Sequence, residues 1–160
     1  MIQGGSQKKP KNHVDFKSEF YFSTPIWVAQ APMFLKSMSK LTNKYIKKAE
    51  KTLKENLKKE PKWKQAIGDF GLSKHSESFS NDPQAKEFVD FCGARSFEFL
   101  DWQGFDLRNH SLHFTEFWVQ EFSEKGGGHH SAHIHWNQHV SGFYFLKCSD
   151  KTSYPVFHEP

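Results

Sequence analysis

Five of the chain's ten histidines fall within eleven consecutive residues, His129 to His139. Inside that run, the pair with a positional argument is His133-Ile134-His135. On an extended strand, side chains two residues apart share a face, close enough for two imidazoles to bind one metal ion. Two such ligands leave a divalent ion with open positions. A redox-active iron uses those positions for a cosubstrate and oxygen once a third ligand arrives, commonly a carboxylate or another imidazole. A His-x-His pair beside a glycine turn equally describes surface histidines bonded to backbone or water, and at this level both descriptions stand. His139, which follows His135 after the three residues Trp136-Asn137-Gln138, is the alternative third ligand. His129 and His130 are adjacent and face opposite sides of any strand, while His13, His75, His110 and His113 carry no spacing argument.

Other chemistries fit less well. Neither Cys92 nor Cys148 has the local context of a nucleophile, there is no Gly-x-Ser-x-Gly, and Gly126-Gly127-Gly128 lacks the following Lys-Ser/Thr of a phosphate loop. Glu116 and Glu121 suit the solvent face of a strand as well as they suit paired-carboxylate chemistry. Two cysteines in a chain without an export signal are expected to stay reduced, which excludes a disulfide framework and a cysteine-rich zinc site. No run of eighteen apolar residues is present, so the expectation is a cytoplasmic protein with no membrane partner.

Those residues need elements to hold them. At 160 residues and 16% aromatic, including 17 phenylalanines, the chain suits one domain with an aromatic core. Residues 1–18 read as a flexible tail and 19–160 as the domain, with a helical part at 30–101 and a β part at 105–160. Phe20 to Val28, interrupted by Pro25, suits an edge strand. Apolar residues from Met33 to Leu57 recur at steps of three and four, predicting an amphipathic helix stopped by Pro61. A second helix follows Asp82-Pro83, with Asp82 as N-cap and Pro83 in the first helical position. Between the helices, residues 68–80 suggest a loop or short strands. Beyond Gly104, the alternating Leu112–Phe122 segment, then 132–136, 140–148 and 154–158, read as four strands.

The formal charge of +4 is unevenly placed: residues 36–64 hold 11 lysines and three glutamates, a local +8, whereas 65–160 carry a net −6. The lysine face of the first helix reads as solvated surface, because no arginine and few aromatics interleave it. Docking of nucleic acid or an acidic protein there is the alternative.

Several segments together resemble a known family. Trp118-Val119-Gln120-Glu121-Phe122, Lys125-Gly126-Gly127, His133-Ile134-His135, Ser141-Gly142-Phe143-Tyr144-Phe145-Leu146 and the ending Val156 to Pro160 are similar to the Fe(II)- and 2-oxoglutarate-dependent oxygenases common in tailed marine phages and bacteria. Phe22-Ser23-Thr24-Pro25-Ile26 resembles the opening of that family. The resemblance implies an α+β fold, N-terminal helices packed on a double-stranded β-helix or jelly roll, acting in the cytoplasm, the host's if phage-encoded. It implies Fe(II) at His133 and His135, 2-oxoglutarate as small-molecule cosubstrate, Tyr144 beside that cosubstrate, and hydroxylation of a substrate that the sequence does not identify. The family's distal His and Arg have no counterpart before Pro160, and about four strands stand where a jelly roll takes about eight. The barrel is therefore expected to be incomplete in this chain.

A second resemblance leads elsewhere. Gly127, His133, His135 and His139 resemble the first motif of the cupins, which implies a three-histidine metal site without oxygenase activity.

Overall fold

A computed structural model of the chain describes residues 24–62, 73–122, 130–150, 152 and 154–158. Two units divide it, Met1–Val28 with Pro155–Pro160, and Ala29–Tyr154. In the first, residues 24–28 and 155–158 carry no helix or ladder, and Ile26, Trp27, Val156 and Phe157 are exposed. The expected tail at 1–18 lies outside the described residues.

The second unit is built on two helices. A 3-10 turn, Pro32–Phe34, leads into helix α1, Leu35–Lys59. Met38, Leu41, Ile46 and Ala49 are buried along one side of α1, as the three-and-four spacing requires. Pro61, lacking an N–H, ends the run just beyond Glu60.

Asp82 then takes an extended conformation and its carboxylate accepts the backbone N–H of Gln84 at 2.9 Å, capping the 3-10 turn Pro83–Ala85. Helix α2, Lys86–Trp102, continues from that turn. It stops at Gly104, whose φ of +90° is open to glycine and strained for other residues. There the N–H of Gly104 donates to Asp101 and that of Phe105 to Leu100, at 2.9 and 3.1 Å, so the last carbonyls of α2 are satisfied by a Schellman turn.

Aromatic rings join the layers. Phe88 of α2, only 5% exposed, meets Phe34, Phe117 and Tyr144 at centroid distances of 5.3, 5.6 and 5.0 Å. Phe79 stacks on Tyr45 of α1 at 4.3 Å and touches Phe117 at 4.6 Å. Met38, Leu41 and Ala85 complete the centre of this core.

The β structure departs from expectation. Among the described residues it amounts to two antiparallel strands, β1 Ser73–His75 and β2 Gln120–Phe122, in register Ser73↔Phe122, Lys74↔Glu121 and His75↔Gln120. Two helices and a two-stranded sheet are not a double-stranded β-helix, complete or incomplete, so the expected jelly-roll fold class is overturned. Residues 112–119, 132–136 and 140–148 are without regular structure. Their alternation has another cause. Tyr144 and Leu146 pack on the core while Phe143 and Phe145 stay exposed, so a one-sided contact with the helices produces the period of two without any ladder.

Serine hydroxyls extend the β1–β2 ribbon where the ladder ends. The N–H groups of Val119 and Phe117 donate to Ser76 Oγ at 3.0 Å and Ser78 Oγ at 3.1 Å, while Ser76 and Phe79 donate backbone N–H groups to the carbonyls of Val119 and Phe117. No described helix is long and apolar enough to cross a membrane.

Candidate functional site

This serine-pinned segment sets one wall of a cleft. With Phe117 and Val119 turned into the core, Glu116 and Trp118 fall on the opposite side. There they line an open cleft of about 390 Å³ together with His75, His130, His133 and His135. Four imidazoles and one carboxylate thus face one space. A second cleft of about 420 Å³ beside α2 is lined mainly by Val89, Phe97, Leu112 and Phe114, and has no such convergence of donors.

The rings run in a near-continuous series. His75 lies 4.1 Å from Trp118, Trp118 lies 5.9 Å from His130, and His130 stacks on His133 at 4.3 Å with 20° between planes. His133 and His135 are edge to face, 4.9 Å between centroids. Two imidazoles bound side by side on one ion, with N–metal bonds of about 2.1 Å, have centroids separated by roughly 4.5–5 Å. The centroid separation of the pair falls in that range.

Backbone carbonyls select the tautomers. His133 Nδ1 lies 2.7 Å from Ser131 O and His75 Nδ1 lies 2.9 Å from Ser76 O. A carbonyl only accepts, so each Nδ1 is a donor, and in the neutral imidazole the lone pair then lies on Nε2. A hydrogen bond of this kind behind a ligating histidine fixes the ring and raises its basicity.

The two histidines of the His-x-His pair are thus brought together. The other two expected site residues are placed elsewhere. The chain turns at Trp136-Asn137, where Asn137 takes the left-handed φ of +55°, and Gln138 is held by the Thr115 hydroxyl at 3.0 Å. Beyond this turn His139 stands edge-on to Phe105 at 6.0 Å and does not line the cleft. Tyr144 packs in the core, and its hydroxyl donates to Ala31 O at 2.7 Å. Burial pushes its phenol above the ordinary value. Its position on the core side of residues 140–148 makes it a structural tie between that segment and the start of α1. His129 lies outside the described residues.

His75, His130 and Glu116 join the site although no motif marks them as its members, and Trp118 joins them from the first of the segments that carry the family resemblance. Glu116 and Trp118 carried a signal, since alternation through the aromatic segment puts them on one face. His75 carried none, because it reaches the cleft only through the pairing of β1 with β2.

The donor set of two histidines and a carboxylate is that of non-haem iron sites, so its chemistry fits the implied metal. Among the described residues, no three His, Cys, Asp or Glu side chains form a ready ligand group as they stand. Closure of Glu116 or His130 onto the His133–His135 pair would have to complete it. Comparison with protein-family models, curated proteins and solved structures finds no match to this chain.

Proposed function

We propose that the chain is an Fe(II)- and 2-oxoglutarate-dependent oxygenase whose metal is held in the histidine-lined cleft. The observation that supports this reading is the convergence of His133, His135 and Glu116 on one open space, with Nδ1 of His133 engaged by Ser131 O so that Nε2 is the nitrogen left for a ligand. The reading rests on donor chemistry and on the family resemblance of these segments, not on a β-helix scaffold. His133 and His135 are the proposed ligands and Glu116 the third, supplying one negative charge against the ion. When bound, the metal and its cosubstrate supply dioxygen-dependent hydroxylation of a carbon–hydrogen bond.

This chain's own residues prepare the space. His130, stacked on His133, limits rotation of that ring. Trp118 supplies an apolar wall between His75 and His130 that a small organic substrate can lie against.

Anaerobic titration with Fe(II), followed by calorimetry and by the visible charge-transfer band that 2-oxoglutarate adds, tests the proposal. The expected result is one ion per chain, with affinity lost in His133→Ala/His135→Ala, lowered about tenfold or more in Glu116→Ala, and unchanged in His139→Ala. Equal binding by the double histidine variant would refute the site. Metal binding without succinate formation from 2-oxoglutarate in the presence of oxygen would keep the site and refute the oxygenase. A large loss in His139→Ala would instead favour the three-histidine, cupin-like arrangement.

A further inference from the structure

Helix α1 carries a surface that the cleft does not use. Lys36, Lys40 and Lys44 follow one another at steps of four, and Lys47, Lys51, Lys54 and Lys58 continue at alternating steps of three and four. At about 100° per residue these positions fall within a sector of roughly 80°, and no other residue between 36 and 58 falls inside it. The sector is pure lysine, about 33 Å long at about 1.5 Å rise per residue. It lies opposite the face that buries Met38, Leu41 and Ala49, and all its lysines are exposed.

Little among the described residues neutralises it. Lys44 reaches Asp82 at 3.3 Å and Lys54 reaches Glu50 at 2.7 Å, yet both lysine side chains remain 68% exposed. Among the described residues no ion pair engages Lys36, Lys40, Lys47, Lys51 or Lys58. Like charges three and four residues apart on a helix repel and destabilise it. An uninterrupted row of them is a cost to folding that an external anion offsets.

We propose that the lysine row of α1 is a sequence-independent docking surface for duplex DNA, gripping the phosphates of about one helical turn. Its length of about 33 Å matches the roughly 34 Å repeat of the duplex. Lysine meets phosphate as a point charge, and without arginine the row has no bidentate reader of base edges. The sector holds no aromatic residue on which unpaired bases could stack, which disfavours single strands. A bilayer-binding helix needs an apolar face free to insert, whereas the apolar face of α1 is buried in the core. Residues 65–160, with a net −6, repel a polyanion and confine the contact to this helix.

Fluorescence anisotropy with a labelled 20-base-pair duplex of arbitrary sequence, using the full chain from 25 to 200 mM salt, tests the surface. Five to seven phosphate contacts predict a slope of log K against log salt of about −4.5 to −6.3. Lys40→Gln/Lys47→Gln/Lys51→Gln/Lys58→Gln is expected to make that slope shallower by about 3.6 and to lower affinity at 50 mM salt about 100-fold or more. Glutamine has nearly the helix propensity of lysine, so circular dichroism should show α1 retained. Should the quadruple variant fail to fold, Lys47→Gln/Lys58→Gln is expected to lose about 1.8 of the slope. Lys59→Gln/Lys62→Gln/Lys86→Gln/Lys147→Gln removes the same charge outside the row and is expected to change affinity less than about threefold. No binding at 50 mM salt overturns the proposal. So does equal loss in the two quadruple variants, an unchanged slope, or tighter binding to phosphatidylserine vesicles than to the duplex.

Discussion

Phe88→Ala is the substitution to which the folded unit should be most sensitive. The ring is 5% exposed and touches Phe34 ahead of α1, Phe117 beside the cleft wall and Tyr144 within residues 140–148. Truncating a buried phenylalanine to alanine costs about 3–5 kcal/mol, the larger values arising where the surroundings cannot collapse into the void. Here the three partner rings belong to three separate segments held by their own hydrogen bonds, including Tyr144 to Ala31 and Phe117 to Ser78, so little collapse is available. A loss of about 4 kcal/mol follows, against total stabilities of about 5–15 kcal/mol for a folded domain. With a urea slope of about 2 kcal/mol per molar, the midpoint should fall by about 2 M at unchanged slope. Phe88→Leu, which keeps most of the volume, should cost less than about 1.5 kcal/mol. Urea titration followed by far-ultraviolet circular dichroism measures both. A midpoint shift under about 0.5 M for Phe88→Ala would show that Phe88 does not join these segments, and with it would fall the account of how Phe117 positions Glu116 and Trp118.

Tyr144→Phe removes the hydroxyl that donates to Ala31 and should cost about 1 kcal/mol in the same titration while leaving 2-oxoglutarate affinity unchanged; lost cosubstrate binding without lost stability would return Tyr144 to the cleft. The Tyr45–Asp82 bond of 2.7 Å links stability to pH at both ends. Hydrogen bonding from Tyr45, then from the Gln84 N–H, holds the Asp82 carboxyl below its usual range, so its contribution is present above about pH 4 and lost as pH falls through the lowered value. The same bond to Asp82, with burial, pushes the Tyr45 phenol up to about 12, so its contribution is present below about pH 10 and lost as pH rises toward 12. Tyr45→Phe should therefore flatten the alkaline limb of stability against pH, and an unchanged limb would show that the bond is not formed in solution. Burial pushes the Cys92 thiol up to about 11 whereas Cys148 is exposed, so at pH 8 a thiol reagent should label Cys148 first; equal rates would contradict the burial of Cys92.

Much of the helical layer is local information. The extent of α1 follows from Met38, Leu41, Tyr45 and Ala49 spaced within single turns, and the start of α2 from Asp82 capping a donor only two residues away. Each of those interactions closes within four residues of chain, so residue type and spacing are enough to read it. The lysine row is legible for the same reason. Strands differ, because an alternating segment such as 140–148 reports only that one side is covered. Whether its N–H and carbonyl groups find a ladder depends on residues far along the chain, and here helices rather than strands do the covering.

The site divides in the same way. His133 and His135 are two residues apart, so their spacing alone marks them as a candidate ligand pair. Sequence could not say that Glu116, Trp118 and His130 share their cleft, or that His75 enters it opposite a strand that begins 45 residues later at Gln120. Nor could it say that Asn137 turns His139 away toward Phe105. By itself the sequence determined two amphipathic helices, the cap of the second, the lysine row and the adjacency of one histidine pair, all relations that close within a few residues or repeat with the helix turn. Only the tertiary structure decided what stands around that pair, because side chains converge on a cleft through strand register and core packing, which join residues that no local spacing relates.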